Sequence, residues 1–315
     1  MNTPVASQAL ADWHGVDREI FETQIVPRAE PAVLRGLVAH WPAAGLAQRS
    51  ASALCEHLAT LDSGHEVDAL MVPPGRGGRI FYSDDGSSFN YLRQRLPISR
   101  VIEQLLRYAH FPDPPAVAVQ SALVSDCAPG WLLDQQLPLL DARVAPRLWL
   151  GNRVVTPTHF DESSNIACVV AGERRFTLFP PDQVGNLYIG PLDHAPTGTP
   201  ISLVDLAAPD LHRFPRFASA LQASRCAVLQ PGDAIYIPPL WWHHVASLQP
   251  LNLLINYWWS DAGLPSGLGT LTQAMSAFGS MPAPQRLAWQ ALLAHWVFEA
   301  DADTHAHIPP TMRRL

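Results

Sequence analysis

The chain has 315 residues, of which 48% are hydrophobic and 16% are charged, a composition typical of a well-packed globule and unlike that of a disordered protein. The formal net charge is −7 and all 21 basic residues are arginines. A long basic run of the kind that binds nucleic-acid backbones is absent, so nucleic acid is not a favoured partner. Without lysine, Schiff-base chemistry is excluded, and any anion site must use arginine.

The four cysteines are widely spaced, at Cys55, Cys127, Cys168 and Cys226, and form no C-x-x-C pair. This spacing disfavours a zinc ribbon or a redox motif, and we expect reduced thiols in a cytoplasmic protein. Residues 1–13 lack a basic segment followed by an apolar run, so no signal peptide is predicted. No stretch reaches the ~18 apolar residues of a membrane span.

The N-terminal region, residues 1–116, is predicted to mix short helices and strands that pack on the core. In chain order we expect a helix at 17–27, a buried strand and glycine turn within 31–43, a helix at 47–61, two strands around the Pro73–Gly78 turn within 66–84, and helical periodicity over 87–110 that is broken near Pro97.

Short apolar runs separated by Gly, Pro, Asn and Asp turns dominate residues 117–260 and indicate a β-sandwich or jelly roll. The candidate strands are 147–151, 154–160, 164–171, 174–179, 201–205, 226–230, 233–237, 242–248 and 251–259. No glycine-rich nucleotide-binding fingerprint occurs. The fold class is therefore mainly β, within an α+β arrangement.

Residues 261–315 return to a helical pattern, with helices predicted at 266–278 and 282–299. The second helix carries apolar residues over much of its surface, including Leu287, Trp289 and Trp296. That is more apolar area than a solvent-facing helix needs. The helix either packs on the core or forms a dimer surface.

The segment Thr156-Pro-Thr-His-Phe-Asp-Glu162 contains the sharpest local signal. Alternate residues of a strand share a face, so His159 and Asp161 project together. His243, on a later strand, is the best third ligand. Two histidines and one carboxylate are the ligand set of non-haem Fe(II) oxygenases. The competing interpretation makes His159 a core histidine and Asp161 a turn residue.

Two further polar residues share the inward face. Asn165 has the strand parity of Asp161, and Arg174 has the parity of Phe176 and Leu178, whereas Arg175 points outward. A buried arginine beside a metal site needs an anion, because an unpaired buried charge is costly. The far carboxylate of 2-oxoglutarate would satisfy Arg174 with a bidentate pair. The alternative is a structural ion pair with an acidic residue.

Taken in order, these residues resemble the JmjC-type, cupin-like 2-oxoglutarate oxygenases. The resemblance covers most of the chain: PAVLRGLVAHWPA, YLRQ, HFDE…N…GERR…LFPPDQ, PGDAIYIPPLWWHHV and INYWW. Within that family, the motifs are most similar to those of the asparaginyl hydroxylase factor inhibiting HIF. The resemblance implies a double-stranded β-helix (jelly-roll, cupin) core, N-terminal α/β elements and C-terminal helices that form a homodimer.

The resemblance also implies roles for individual residues. Fe(II) would be bound by His159, Asp161 and His243; His243 is preferred over His244, which has the opposite parity. The 2-oxoglutarate and pocket residues would be Tyr91, Thr156, Asn165, Arg174, Asn256 and Trp258. Trp241, Trp242 and Trp259 are further candidates for the pocket wall or for plain core packing. Where the relative uses lysine to bind the oxo acid, this chain has Arg174.

The implied reaction is an Fe(II)- and O2-dependent hydroxylation with 2-oxoglutarate as cosubstrate and with release of succinate and CO2. We expect a protein or peptide side chain as substrate. A small-molecule or nucleoside hydroxylase of the same chemistry is the first alternative. A non-catalytic cupin-like binding or scaffold protein is the second, and a zinc or manganese cupin with isomerase or hydrolase chemistry is the third.

Overall fold

A computed structural model of the protein describes residues 8–260, 266–301, 303–304 and 306–307. The chain divides into two compact units, residues 1–261 and 262–315. The first unit contains the β-sheets and the candidate site, and the second contains two helices.

The N-terminal part of the first unit supplies short strands that flank the core. These are β1 (Gln8–Ala9), β2 (Ala11–His14), β3 (Ala32–Arg35), β4 (Val67–Val72), β5 (Leu92–Leu96), β6 (Ala116–Val119) and β7 (Ala122–Leu123). The core strands are β8 (Pro146–Gly151), β9 (Val155–His159), β10 (Ser164–Ala171), β11 (Arg174–Phe179), β12 (Arg225–Leu229), β13 (Ala234–Ile237), β14 (Trp242–Ser247) and β15 (Asn252–Trp259).

Helices occupy both units. They are α1 (Arg18–Ile20), α2 (Pro42–Arg49), α3 (Ala51–Leu61), α4 (Ile98–Tyr108), α5 (Val124–Cys127), α6 (Trp131–Asp134), α7 (Phe217–Ala223), α8 (Gly267–Phe278) and α9 (Ala283–Leu293). Phe21–Ile25 and Ala294–Phe298 form π-helical turns, and Val26–Arg28 and Pro181–Asn186 form 3-10 turns.

Two sheets build the core. One has the order β1-β12-β11-β14-β9, and the other runs β2-β3-β13-β10-β15-β8-β6-β4-β5, with β7 beside β8. Four core strands of each sheet face each other, and their inner side chains, such as Phe176, Ile235 and Leu254, share one apolar cluster. This is the double-stranded β-helix, so the predicted fold class is confirmed.

The larger sheet has a second buried face. Ile166, Cys168 and Val170 of β10 point away from the inner cluster and pack in a cluster with Leu54 of α3 and Ile102 of α4. A strand buried on both faces reads as a continuous apolar run, as SNIACVVA does. The alternation of β10 therefore fixes which of its residues face the candidate site.

Most element predictions are confirmed, and three are wrong. Residues 201–205 form no strand, because their backbone groups bond to loops and to β9, as in Ser202 N to Thr158 O at 2.8 Å. The helix predicted over 87–110 begins only at Ile98, because Leu92–Leu96 is the antiparallel partner of β4. The expected second strand after the Pro73–Gly78 turn is replaced by isolated bridges.

The turn between β10 and β11 depends on Gly172. Its φ is +73°, and a Cβ there would lie 2.6 Å from Leu251 O. Only glycine combines this left-handed conformation with so close a backbone approach. The turn sets β11, and with it Arg174, against the rest of the sheet.

All four cysteines are free thiols. Burial raises the pKa of the Cys55, Cys127 and Cys168 thiols, which keeps them protonated and unreactive. Among the described residues, no helix is long and apolar enough to span a membrane.

Candidate metal centre

Three side chains meet at one end of the barrel. His159 ends β9, Asp161 follows two residues later, and His243 lies on β14 directly across from His159 in the antiparallel register. One ligand atom of each lies within 4.8 Å of the others. The predicted His–Asp–His cluster is thus assembled by the pairing of two strands that are about 80 residues apart in the chain.

Each histidine is oriented by its own backbone. His159 Nδ1 lies 2.8 Å from Pro157 O, and His243 Nδ1 lies 3.0 Å from Trp241 O. A carbonyl oxygen only accepts, so both Nδ1 atoms carry the proton and both Nε2 lone pairs remain available. Burial, with the charge of His243, lowers the pKa of His159 to about 4, so its imidazole is neutral near pH 7, as a metal ligand requires.

Asp161 is held by a polar network inside the barrel. Trp258 Nε1 donates to Asp161 Oδ2 at 3.0 Å, and Asn165 Nδ2 approaches the same oxygen at 3.5 Å. Asn256 Nδ2 then donates to Asn165 Oδ1 at 3.1 Å, and Trp149 Nε1 donates to Asn256 Oδ1 at 2.7 Å. The network fixes the carboxylate while its remaining oxygen stays available to a cation.

A cavity extends inward from these ligands. Its lining residues are Trp149, Thr156, His159, Asp161, Asn165, Ala167, Arg174, Phe176, Ile237, His243, Val245, Leu254, Asn256 and Trp258. The lining therefore combines the ligand cluster, apolar walls and one cation.

That cation is Arg174, which is only 9% exposed. Its Nε has no hydrogen-bond partner, and its Nη2 makes one long contact to Trp149 O at 3.5 Å. In the described part of the chain no carboxylate forms an ion pair with it. Burial lowers the pKa of Arg174 to about 10, so the guanidinium stays charged at neutral pH. The alternative of a structural ion pair at Arg174 finds no support.

A second recess of about 280 Å³ lies against Arg174 and shares Thr156 with the main cavity. Gln120 and Ser247 add polar groups to its wall. Polar groups thus surround the guanidinium on the side away from the ligand cluster. The arrangement suits a ligand whose anionic end reaches Arg174.

The structure brings together eight of the nine residues predicted for the site. The exception is Tyr91, which lines neither cavity. Its ring stacks on Phe89 at 5.5 Å, and its hydroxyl donates to Pro196 O at 3.0 Å. Two further hydrogen bonds, from the Tyr82 hydroxyl to His194 O and from Arg79 Nη2 to Val204 O, hold this segment against the 188–204 loop.

Of the tryptophans predicted as wall candidates, only Trp258 lines the cavity. Trp242 packs edge-on against Phe160, Trp259 stacks on Tyr236, and Trp241 Nε1 donates to Ala29 O. These three are core residues, one of the interpretations left open by the sequence.

His244 lines neither cavity, as its strand parity predicts. Burial and the charge of Arg79 lower the pKa of His244 to about 4. The candidate ligand is therefore His243, the first histidine of the pair.

Sequence reasoning missed Trp149 and the apolar wall residues Phe176, Val245 and Leu254. Trp149 could have been found by alternation, because Leu148 and Leu150 are core residues and the intervening side chain must face the other way. No local signal could have shown that it bonds to Asn256.

The donor set fits a divalent metal ion: two neutral imidazoles and one carboxylate on one side leave the other side open. The orphaned guanidinium of Arg174 fits an organic carboxylate in the same cavity. Both requirements of an oxo-acid-dependent iron site are thus present in residues of this chain.

Comparison with known proteins identifies the family. A family model described as a cupin-like domain matches residues 17–263. The human bifunctional peptidase and (3S)-lysyl hydroxylase JMJD7 is 31% identical over 266 residues, which cover 73% of this chain and 77% of that protein. The chain belongs to the cupin-like JmjC family.

Two further relatives are more distant. Jumonji C domain-containing protein 5 of Drosophila melanogaster is 26% identical over 76% of this chain and 57% of its own length. Lysine-specific demethylase JMJ31 of Arabidopsis thaliana is 27% identical over 76% of this chain and 48% of its own length. The chain thus spans about half the length of these two proteins.

JmjC proteins of this cupin-like family are Fe(II)- and 2-oxoglutarate-dependent oxygenases, so the predicted class of enzyme is confirmed. The scaffold, isomerase and small-molecule alternatives are not favoured. The particular likeness to the asparaginyl hydroxylase stays a prediction.

Replacing Trp258 with phenylalanine tests the support of Asp161. The ring is retained but its N–H is lost, so we expect metal affinity to fall by roughly 10- to 100-fold, the usual effect of removing a group that orients a ligand. Anaerobic titration with Co(II), followed by its visible absorption, measures the affinity. Trp259→Phe is the matched control, because Trp259 stacks on Tyr236 outside the cavity. Equal affinities for the two variants would remove the role assigned to the indole N–H.

Proposed function

We propose that this chain holds Fe(II) on His159, Asp161 and His243, binds 2-oxoglutarate with its far carboxylate on Arg174 and Thr156, and hydroxylates a protein or peptide side chain. The observation that carries the proposal is the unpaired, buried Arg174 in the same cavity that the ligand cluster lines. A dicarboxylate can coordinate a metal ion with one end and form an ion pair with an arginine at the other, so it fits both features of the cavity.

When bound, Fe(II) with 2-oxoglutarate and O2 supplies oxidation of an unactivated C–H bond, with release of succinate and CO2. The residues of this chain orient the metal ligands and exclude water from the cavity. Trp258 and Asn165 orient Asp161, and the backbone carbonyls of Pro157 and Trp241 fix the two imidazoles. Phe176, Val245 and Leu254 supply apolar walls that keep water from the cosubstrate.

The proposed substrate is a protein side chain that approaches the open end of the cavity. The name of the human relative supports hydroxylation, since it describes a lysyl hydroxylase. The motif likeness to an asparaginyl hydroxylase supports the same reaction type with a different target residue. Both therefore favour hydroxylation of a protein over oxidation of a free metabolite.

The deciding experiment is an anaerobic titration of the purified chain with Fe(II) and 2-oxoglutarate, followed by admission of air. We expect a weak visible charge-transfer band and slow succinate formation without added substrate. His159→Ala should lose the band because a ligand is gone, and Arg174→Ala should lose it because the oxo acid is no longer held. Absence of both band and succinate in the wild type at saturating iron would overturn the proposal.

Arg174→Met offers a second readout that needs no turnover. The guanidinium is buried without a counter-charge, and its pKa is lowered to about 10, so its charge destabilises the fold at every pH below that value. We expect the ligand-free variant to gain about 1 to 3 kcal/mol of unfolding free energy.

Urea unfolding measures this gain, with and without Mn(II) plus 2-oxoglutarate. Mn(II) alone should stabilise both proteins, because the ligand cluster is intact in both, whereas adding 2-oxoglutarate should stabilise only the wild type further. A ligand-free variant less stable than the wild type would mean that Arg174 has a structural role.

We also propose that residues 262–315 mediate a homodimer. In this unit large apolar side chains are exposed on both helices, and they are Leu271, Met275, Leu287, Trp289, Leu292, Trp296, Val297 and Phe298. So many large exposed apolar side chains within one small unit are unfavourable in water unless they are covered. A second copy of the same unit would cover it with an equally apolar surface.

Sedimentation velocity tests this dimer. The wild type should sediment as a dimer, and Leu287→Glu with Leu292→Glu should give a monomer with its sheets intact by circular dichroism. Leu133→Glu is the control, because Leu133 is 78% exposed but lies in the first unit. A monomeric wild type at micromolar concentration would exclude the homodimer.

A further inference from the structure

Arg147 lies beside the metal centre, although the function described so far gives it no role. On β8 it precedes Trp149 by two residues, and Trp149 lines the cavity. In the register between β8 and β15 it stands directly across from Asn256, another lining residue. The alternation of the strand therefore places Arg147 on the inner face of the sheet.

The guanidinium also contacts the support of the metal ligands. Its Cζ lies 5.8 Å from the ring centroid of Trp258, within the range of a cation–π contact. The same indole donates to Asp161. Arg147 is thus one aromatic ring away from Asp161, the carboxylate of the ligand cluster.

A strained turn fixes the position of Arg147. Its Nη1 donates to the carbonyl oxygen of Ser121 at 3.1 Å and to Ser121 Oγ at 3.2 Å. Ser121 has a φ of +50°, a left-handed conformation that costs about 1 kcal/mol or more in a residue other than glycine. The turn is maintained in spite of that cost, and it aims both serine oxygens at one nitrogen of the guanidinium.

Both of these acceptors are neutral. No carboxylate lies within ion-pair distance of Arg147 in the part of the chain that the structure describes, and its Nε and Nη2 donate to no protein group there. By contrast, Arg35 and Arg225 elsewhere in the same unit each bind a carboxylate of the protein. Arg147 is therefore a fixed, half-buried cation with two free donors beside Trp258, which lines the cavity.

We propose that Arg147 binds a carboxylate of the substrate and so directs the enzyme to target residues flanked by acidic groups. The inference rests on the proposed function and narrows its substrate class. A guanidinium with two free N–H donors matches a carboxylate in a bidentate pair, which fixes orientation as well as charge. A lysine or arginine of the substrate at this position would be repelled by the charge of Arg147. It would also leave the two N–H donors of Arg147 without an acceptor.

The test uses pools of short peptides with a degenerate central residue. An acidic pool has Asp and Glu fixed on both sides of that residue, a basic pool has Lys and Arg there, and a third arm contains N-acetylaspartate and N-acetylglutamate as free carboxylates. Succinate release above the level without substrate is measured for the iron-loaded wild type, Arg147→Glu, Arg147→Lys and Arg175→Glu. Arg175 is exposed on the outward face of β11, so its variant matches the change in net charge.

We expect the wild type to favour the acidic pool over the basic pool by roughly 10-fold or more, the usual contribution of a charge-assisted hydrogen-bonded pair. Arg147→Glu should invert the ratio, Arg147→Lys should keep its direction at reduced size, and Arg175→Glu should leave it unchanged. A purely structural role for Arg147 would lower activity with both pools and leave the ratio unaltered. Greater stimulation by the free carboxylates than by the acidic pool would assign the site to a small acid.

Besides that outcome, which would also overturn the inference, three further results do so: equal stimulation by the acidic and basic pools, an unchanged ratio in Arg147→Glu, or no stimulation by any arm. Succinate release by the wild type without substrate distinguishes a failure of the role of Arg147 from a failure of the oxygenase function. If that release is present, only the role of Arg147 fails. If it is absent, the oxygenase function fails and the inference fails with it.

Discussion

The register between β9 and β14 is the constraint on which the rest of the site depends. It sets His243 across from His159 and leaves Asp161 just beyond the end of β9, within reach of both imidazoles. Because side chains alternate along a strand, a shift of the β9–β14 pairing by one residue would turn His243 away from the cavity and so remove it from the cluster. The smaller sheet is therefore the frame that defines the metal centre, and the larger sheet supplies its supports.

Polar groups inside the barrel are tolerated because nearly all of them are paired. The chain of hydrogen bonds from Trp149 through Asn256 and Asn165 to Asp161 crosses three strands of the larger sheet. Arg174 is the departure from this rule, since it is buried with its Nε unsatisfied. Such an exception is expected at a binding site, because the unpaired charge lowers the stability of the ligand-free protein but is neutralised when an anionic ligand binds.

In the functions proposed here, two inward arginines share the anion recognition. Arg174 lies in the interior, where low polarity would strengthen its attraction for the far carboxylate of a cosubstrate. Arg147 is half-buried, and a neutral serine turn and an indole hold it without neutralising it. The same residue type would then serve cosubstrate binding and substrate selection, and this chain has no lysine for either task.

The sequence by itself determined the fold class, the eight core strands and the facing pair His159 and Asp161, because alternation and turn residues are local properties. The inward direction of Arg174 followed from the same alternation. The sequence also pointed to His243 as the third member of the cluster, and the tertiary structure brings it within reach of the other two. Only the tertiary structure decided that Trp149 joins the network and that Tyr91 lies outside the cavity. Those facts depend on strand register and on loops such as 188–204, which are set by contacts between residues far apart in the chain.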